Sequence, residues 1–372
     1  MSFFEPFALE RFFAKHEFNA PYLLCSSDCE SVSIKELLAM EAGAAERIMD
    51  HWLGYTETRG APTLRTAIAA HYQGLEAGDI FVHSGAQEAI LNLYLALLEK
   101  GDRVIVNQPC YQSLSEIPRA LGCKVIPWKF RIAELANGEK KWVLDPFELG
   151  KLGPAKLIVL NIPHNPTGAM LTEEEFMAVV DYARKSGAIL LVDEVYRRLE
   201  HHAKRLPSVS EVYENGIALD VLSKHSGLAG LRIGWLASRK GDLLDKIAVV
   251  KDYNSICSSA PSEFLAEIAV KNLEKLAQKN RSLVNKNLSL LKGFFMRWPN
   301  FAEWIAPEGG SIAFPRLTMK ENAEALSEKL VAEAGVLILP GSLYGYDTAH
   351  FRLGYGRANL PEALAALEAW LI

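Results

Sequence analysis

Long hydrophobic runs are missing from this 372-residue chain. No apolar stretch reaches the ~20 residues a helix needs to cross a bilayer, so a membrane-spanning protein is not expected. Cysteine is scarce: Cys25, Cys29, Cys110, Cys123 and Cys257 are the only five. Their odd number and scattered spacing speak against a disulfide framework and fit reduced thiols. Cys25 and Cys29 lack a second Cys or His pair at matching spacing, so no metal site is read there. His201-His202 reads as a solvated loop pair. An excess of positive charge is also missing. Forty basic and 45 acidic residues leave a net charge of −5, and no basic stripe offers itself to nucleic acid. The opening Met1-Ser2-Phe3-Phe4-Glu5-Pro6 has neither the positive start nor the apolar core of a secretory leader. There is no internal repeat and no low-complexity segment. A soluble cytoplasmic protein with no nucleic-acid or membrane partner is expected.

What is present is ordinary globular composition, 49% hydrophobic and 23% charged, in a chain long enough for two domains. From residue 79 a rhythm sets in. Short apolar runs recur at Ile80–Val82, Arg103–Val106, Lys124–Ile126, Leu157–Leu160, Ala188–Val192, Gly216–Leu222 and Ile233–Ala237. Such runs suit strands buried on both faces. Helical patterns lie between several of them. One runs from Ala86 to Lys100, stopped by Gly101. Another, Thr172 to Lys185, opens on the capping box Thr172-Glu173-Glu174-Glu175 and is stopped by Gly187. Pro62 opens a further helix, to Tyr72. This alternation predicts an α/β fold: a mainly parallel, seven-stranded sheet with helices on both faces. After Lys240 long helices dominate, from Leu243 to Phe295. A small α+β unit follows, with a strand at 310–315, a helix at 321–334, strands near 336–339 and 350–353, and a last helix from Pro361. The expected division is a large domain at 46–270 and a small one made of 1–45 and 271–372.

In such sheets ligands bind beyond the carboxyl ends of the strands, and here those ends are polar. After Val82 comes His83-Ser84-Gly85-Ala86-Gln87, where a helix start could hold phosphate or could simply be capped. After Val106 comes Tyr111, a ring that could stack on a ligand or belong to the core. After Leu160 comes Asn161-Ile162-Pro163-His164-Asn165-Pro166-Thr167-Gly168, a rigid turn that could aim the Asn165 amide into a site. Asp193 follows five apolar residues, so a buried carboxylate should face a cation or donor. Lys224 ends one apolar run and Arg232 opens the next. Singly each feature is weak. Together they supply phosphate donors, a stacking ring, a ring-oxygen donor, a carboxylate, an amine and a guanidinium, which is the set pyridoxal 5′-phosphate requires.

From about Tyr55 to its end the sequence resembles the class I/II aminotransferases, the fold type I pyridoxal-phosphate enzymes. The motifs are Asn161-x-Pro163-x-Asn165-Pro166-Thr167-Gly168, Asp193-x-x-Tyr196, and Ser223-Lys224-x-x-Gly227-Leu228-x-Gly230-x-Arg232-x-Gly234. The resemblance implies that Lys224 is the Schiff-base lysine and Asp193 the partner of the pyridinium nitrogen. It assigns Asn165 and Tyr196 to the ring 3′-oxygen, Tyr111 to ring stacking, and Gly85, Ala86, Gln87, Ser223 and Arg232 to the phosphate. Tyr55 would reach the phosphate of a neighbouring subunit, which implies a homodimer with shared sites. Arg352 would grip the substrate carboxylate. Lys224, Asp193 and Tyr196 are the expected catalytic residues, and amino acids and 2-oxo acids the expected substrates.

The sequence also departs from the family. Val221 stands where a Ser, Thr or Gly is usual, His225-Ser226 replaces a Thr-Phe-like pair, and the arm at Leu24–Glu30 lacks a Gly-x-Pro-like loop. No arginine occurs near Asn254-Ser255-Ile256, which counts against aspartate as substrate. Tyr111–Ser115, Ile126–Trp128 and Gly309–Arg316 resemble capreomycidine synthase, which cyclises an arginine derivative. Elimination or cyclisation on the same scaffold is therefore the alternative to transamination. A non-catalytic regulator would need a DNA-binding domain for which there is no room before Tyr55. The glycines at 227, 230 and 234 do not form a dinucleotide fingerprint.

Overall fold

The computed structural model describes residues 4–136, 138–201 and 204–372. All seven apolar runs are strands of one sheet. Across it they lie in the order Ile80–His83, Gly234–Ala237, Gly216–Val221, Ile189–Asp193, Leu157–Asn161, Arg103–Gln108, Lys124–Lys129. Gly234–Ala237 is antiparallel to both of its neighbours; the remaining pairs are parallel. The lack of polar alternation has a simple cause. Ile158, Leu160, Leu190 and Val192 face one hydrophobic core, while Leu157, Val159, Leu191 and Leu219 face a second on the other side. Helices Pro62–Ala69, Glu173–Ser186 and Ala260–Lys271 pack into the first core; Ala86–Leu97 and Gly241–Asp252 pack into the second.

Helix signals hold where their chemistry is local. The Thr172 hydroxyl accepts from the Glu175 N–H, and Gly187 ends the helix in the left-handed conformation. The helix expected to run from Ala86 to Lys100 stops at Leu97, because Leu98 is already extended. The one opened by Pro62 ends at Ala69. After the 25-residue helix Leu273–Arg297, the tail is more broken than its pattern suggested. The single strand expected at 310–315 is two short ones, Ile312–Ala313 and Arg316–Leu317, in different sheets. The strand expected near 336–339 is Leu339–Pro340. Phe351–Gly354 lies between Ile312–Ala313 and Leu339–Pro340 in a three-stranded sheet. A charged hairpin, Arg131–Glu134 with Lys140–Val143, carried no pattern that announced it.

The reading of His201 as solvated is corrected. His201 is buried, its ring nitrogens bonded to the carbonyls of Pro307 and Gly310 at 3.1 and 2.9 Å. His202 lies outside the described residues. All five cysteines are free, with Cys25 and Cys29 buried. Among the described residues no helix is long and apolar enough to cross a membrane.

Candidate active site

A cavity of about 440 Å³ opens where the parallel strands end. Its framework is a row of polar residues on adjacent strands. The Asn161 N–H donates to Asn107 Oδ1 at 2.8 Å, and Asn161 Nδ2 donates to the Asp193 carbonyl at 3.0 Å. Asn161 Oδ1 accepts from the Asn165 N–H at 2.7 Å, which fixes the turn that carries Asn165. Asp193 is buried, and its carboxylate accepts one bond, from the Val195 N–H at 3.3 Å. Burial pushes its pKa up to about 7, against the pull of that N–H and of Lys224. A carboxylate so placed gains from any cation brought opposite it.

Lys224 follows the strand Gly216–Val221. Burial holds its ammonium below the ordinary lysine range; Asp28 opposes the shift, Arg352 adds to it, and Asp193 opposes it. Its Nζ donates to Ser27 Oγ at 2.8 Å and lies 5.8 Å from the centre of the Tyr196 ring. The Tyr196 hydroxyl is buried with no hydrogen bond of good geometry among the described residues, although Ser27 lies close by. Beneath Lys224, His225 and Arg198 both bond the buried Asp220, each at 3.2 Å.

Arg232 precedes the antiparallel strand Gly234–Ala237, so it enters at the edge where the parallel strands end. It is held left-handed at φ 51° by the tight turn Ala229–Leu231. Gly85 caps the helix Ala86–Leu97 without a side chain, at φ 86°. A Cβ there would lie 2.6 Å from Arg232 Nη2, so only glycine lets the guanidinium reach the helix start. Gln87 Oε1 on that first turn is buried and has no hydrogen-bond partner among the described residues. A guanidinium, a helix N-terminus and the Ser223 hydroxyl make a donor set for a dianion. Together with the orphaned Tyr196 hydroxyl and the buried Asp193, they fit a phosphate-bearing aromatic cofactor with a phenolic oxygen and a basic ring nitrogen.

Arg352, on Phe351–Gly354, is 2% exposed. Its Nε and Nη2 both donate to the Cys25 carbonyl, at 3.2 and 2.7 Å, and its Nη1 donates to Asn165 Oδ1 at 3.3 Å and to the Tyr344 hydroxyl. Four of the five N–H donors of a guanidinium are thus engaged, and one on Nη2 is left for a ligand. Tyr111 lines the cavity, donates to Glu10 at 3.1 Å and meets the Phe7 ring at 5.1 Å.

Of the twelve residues singled out from the sequence, ten line this one cavity: Ala86, Gln87, Tyr111, Asn165, Asp193, Tyr196, Ser223, Lys224, Arg232 and Arg352. Gly85 sits behind Arg232. Tyr55 is not in the wall and is 83% exposed. The sequence reading named no residue of the N-terminal arm as part of the site. Leu9, Glu10, Phe13 and Glu17 from the helix Ala8–His16 and its end, with Ser26, Ser27 and Asp28, complete the wall. The polar run Cys25–Cys29 was the one cue, and it named no partner.

The family model for aminotransferase class I and II matches residues 23–367. The chain belongs to that family. Its members depend on pyridoxal 5′-phosphate, and the fold is that of the fold type I enzymes. Capreomycidine synthase from Streptomyces vinaceus is 29% identical over 97% of this chain and 92% of its own. Aspartate aminotransferase from Pyrococcus horikoshii is 28% identical over 87% and 85%. A pyridoxal-phosphate-dependent aminotransferase from Streptococcus suis superposes with a TM-score of 0.91 at 30% identity, covering 99% of this chain and 98% of its own. The pyridoxal-phosphate-dependent cyclase OrfR gives 0.89 at 28% identity, covering 99% and 97%.

Proposed function

We propose that the protein is an aminotransferase that moves an amino group from an amino acid to a 2-oxo acid. The observation that carries this reading is the convergence of the Lys224 amine, the Asp193 carboxylate and the Arg232 and Arg352 guanidiniums on one cavity. Lys224 is the lysine that bonds the cofactor. Asp193 faces the ring nitrogen, Asn165 and Tyr196 the ring oxygen, and Tyr111 the ring face. Gly85, Ala86, Gln87, Ser223 and Arg232 hold the phosphate; Val221 offers it no hydroxyl. The cofactor, when bound, supplies an electron sink for the charge left at the substrate Cα.

The chain's own residues do the rest. Arg352 takes the substrate carboxylate and so orients the Cα–H bond. Burial favours the neutral Lys224 amine, so it can take the proton from Cα, hold it and return it. Helix Ala8–His16 and the loop at 24–30 cover the cavity and limit water. Glu10, Glu17 and Asp28 give the arm side negative charge. Glu10 is bonded by Tyr111 and Asp28 by Arg357, whereas among the described residues the Glu17 carboxylate makes no hydrogen bond or ion pair, burial raising its pKa and Arg357 opposing the rise. That balance favours a donor amino acid with a cationic side chain.

The second reading ends in elimination or ring closure after the same proton abstraction. It is favoured by the similarity over nearly the whole chain to a protein named capreomycidine synthase and to a cyclase. Assay of 2-oxo-acid-dependent amino transfer, against a cyclised product or ammonia without any 2-oxo acid, separates the two. Transfer supports the first reading, and product without an acceptor overturns it.

The same proposal includes a homodimer. Met49, Trp52, Leu53 and Tyr55 are each at least 78% exposed. Thr56 and Thr58 bond the Ser258 carbonyl and Asp252, which puts exposed Tyr253 and Ile256 on a neighbouring loop. Such a patch suits a subunit interface, with Tyr55 serving the partner's phosphate site. Residues 46–270 are the large domain, and 1–45 with 271–372 the small one.

A further inference from the structure

The arm meets the site through one hydroxyl. Lys224 Nζ has a single hydrogen-bond acceptor among the described residues, Ser27 Oγ at 2.8 Å. Ser27 lies 197 residues away in sequence, on a loop outside the strand-end framework that carries the rest of the lysine's surroundings.

The placement of that hydroxyl is built in. On one side of Ser27, the Cys25 carbonyl is held by two N–H groups of the buried Arg352. On the other, Asp28 accepts from Arg357 through both carboxylate oxygens, at 3.1 and 2.9 Å. The Ser27 carbonyl itself accepts from Ser311 Oγ at 2.9 Å. Glycine at 354 lets the loop settle this deeply, for a Cβ there would fall 1.7 Å from the Ser26 carbonyl oxygen. A loop fastened before, at and after Ser27 presents a preorganised hydroxyl, and its distance from the amine is set by the fold.

We propose that Ser27 is a positioning residue that holds the Lys224 ε-amine whenever that amine is not bonded to the cofactor, fixing its aim and offsetting part of the burial that favours its neutral form; the proposal rests on the reading of Lys224 as the cofactor lysine. Nζ donates and Ser27 Oγ accepts, so the bond is strongest when the amine carries a proton. A lysine tail without this acceptor would sample several rotamers in a cavity of this size, and its proton would reach the substrate carbon less often. The arm that supplies the Cys25 carbonyl to Arg352 also supplies Ser27 to Lys224. Seating of the arm and aiming of the amine are therefore one event.

The test uses Ser27→Ala and Ser27→Thr beside wild type. In the cofactor-free protein, acylation of Lys224 is followed against pH by peptide mass spectrometry. Loss of the acceptor from a charged donor should raise the labelling rate at pH 8 about tenfold in Ser27→Ala, and threonine should restore it. In the loaded enzyme Ser27→Ala should lower kcat about tenfold with KM nearly unchanged and raise the isotope effect of Cα-deuterated substrate. Ser27→Ala that matches wild type in both experiments, or Ser27→Thr that behaves like alanine, overturns the proposal. A loaded Lys224→Ala that keeps the covalent cofactor's visible band overturns the underlying reading and the proposal with it. Loss of that band beside an indifferent Ser27→Ala overturns the proposal alone.

Discussion

Replacing Asp193 with asparagine should stabilise the empty protein, and increasingly so as pH rises. The side chain keeps its shape and an oxygen that can accept from the Val195 N–H, but it no longer buries a charge. Burial lifts the Asp193 carboxyl from its ordinary 3.8 to about 7. The folded chain therefore binds this proton more tightly than the unfolded one, so stability is full below pH 3.8 and is lost as pH rises through 7. At about 1.4 kcal/mol per unit, the wild type carries a penalty of about 2 kcal/mol at pH 5 and about 4 kcal/mol at pH 8. Glu194, also lifted to about 7, titrates in both proteins; its charge helps raise the Asp193 carboxyl, so the amide also relieves Glu194 and widens the gap in the same direction. Urea unfolding of cofactor-free wild type and Asp193→Asn at the two pH values measures the difference directly. The variant should be the more stable protein, with a gap wider at pH 8. Cofactor loading should reverse the order, because a ring cation repays the wild-type carboxylate and not the amide. A gap that fails to grow with pH, or a wild type that is the more stable empty protein at pH 8, would refute the reasoning.

Three further outcomes are expected. Arg232→Gln should weaken cofactor binding about 100-fold in an absorbance titration, since it removes charge-assisted donors to the phosphate; unchanged affinity contradicts that role. Gly354→Ala should push the arm off its seat, because the new Cβ meets the Ser26 carbonyl at 1.7 Å; a cost of about 1–3 kcal/mol in unfolding and a clear fall in kcat are expected, and wild-type values for both would count against the seated arm. Glu17→Gln should raise KM about tenfold for amino acids with cationic side chains and leave neutral ones alone; an equal change for both classes removes Glu17 from substrate recognition.

The sheet was legible because its inner strands face apolar cores on both sides, so continuous hydrophobic runs marked them; the edge strand Lys124–Lys129, with Lys124, Pro127 and Lys129 exposed, was marked by Val125 and Ile126 alone. The strand-end residues were legible for a related reason: once the sheet is parallel, the residue after each run is carried to one edge. Asp193 follows its run directly and Lys224 by two residues, Asn165 was placed by the turn that ends at Gly168, and the roles of all three came from the family resemblance. Arg232 needed its strand to run the other way, which the tight turn between two adjacent runs implied. The partners of the arm's residues were not legible. Ser27 meets Lys224 across 197 residues, Cys25 meets Arg352 across 327, and Asp28 meets Arg357 across 329. A polar loop has no periodicity to announce such partners. His201 misled for the opposite reason. Histidine is common on surfaces, and nothing local shows that the carbonyls of Pro307 and Gly310 close over it.

The central claim is that Lys224 is the covalent anchor of the cofactor. Borohydride reduction of the loaded protein, digestion and peptide mass spectrometry test it most directly. The account predicts the cofactor's mass on the peptide that contains Lys224, at that residue. The same mass on another lysine, or on none, would contradict it.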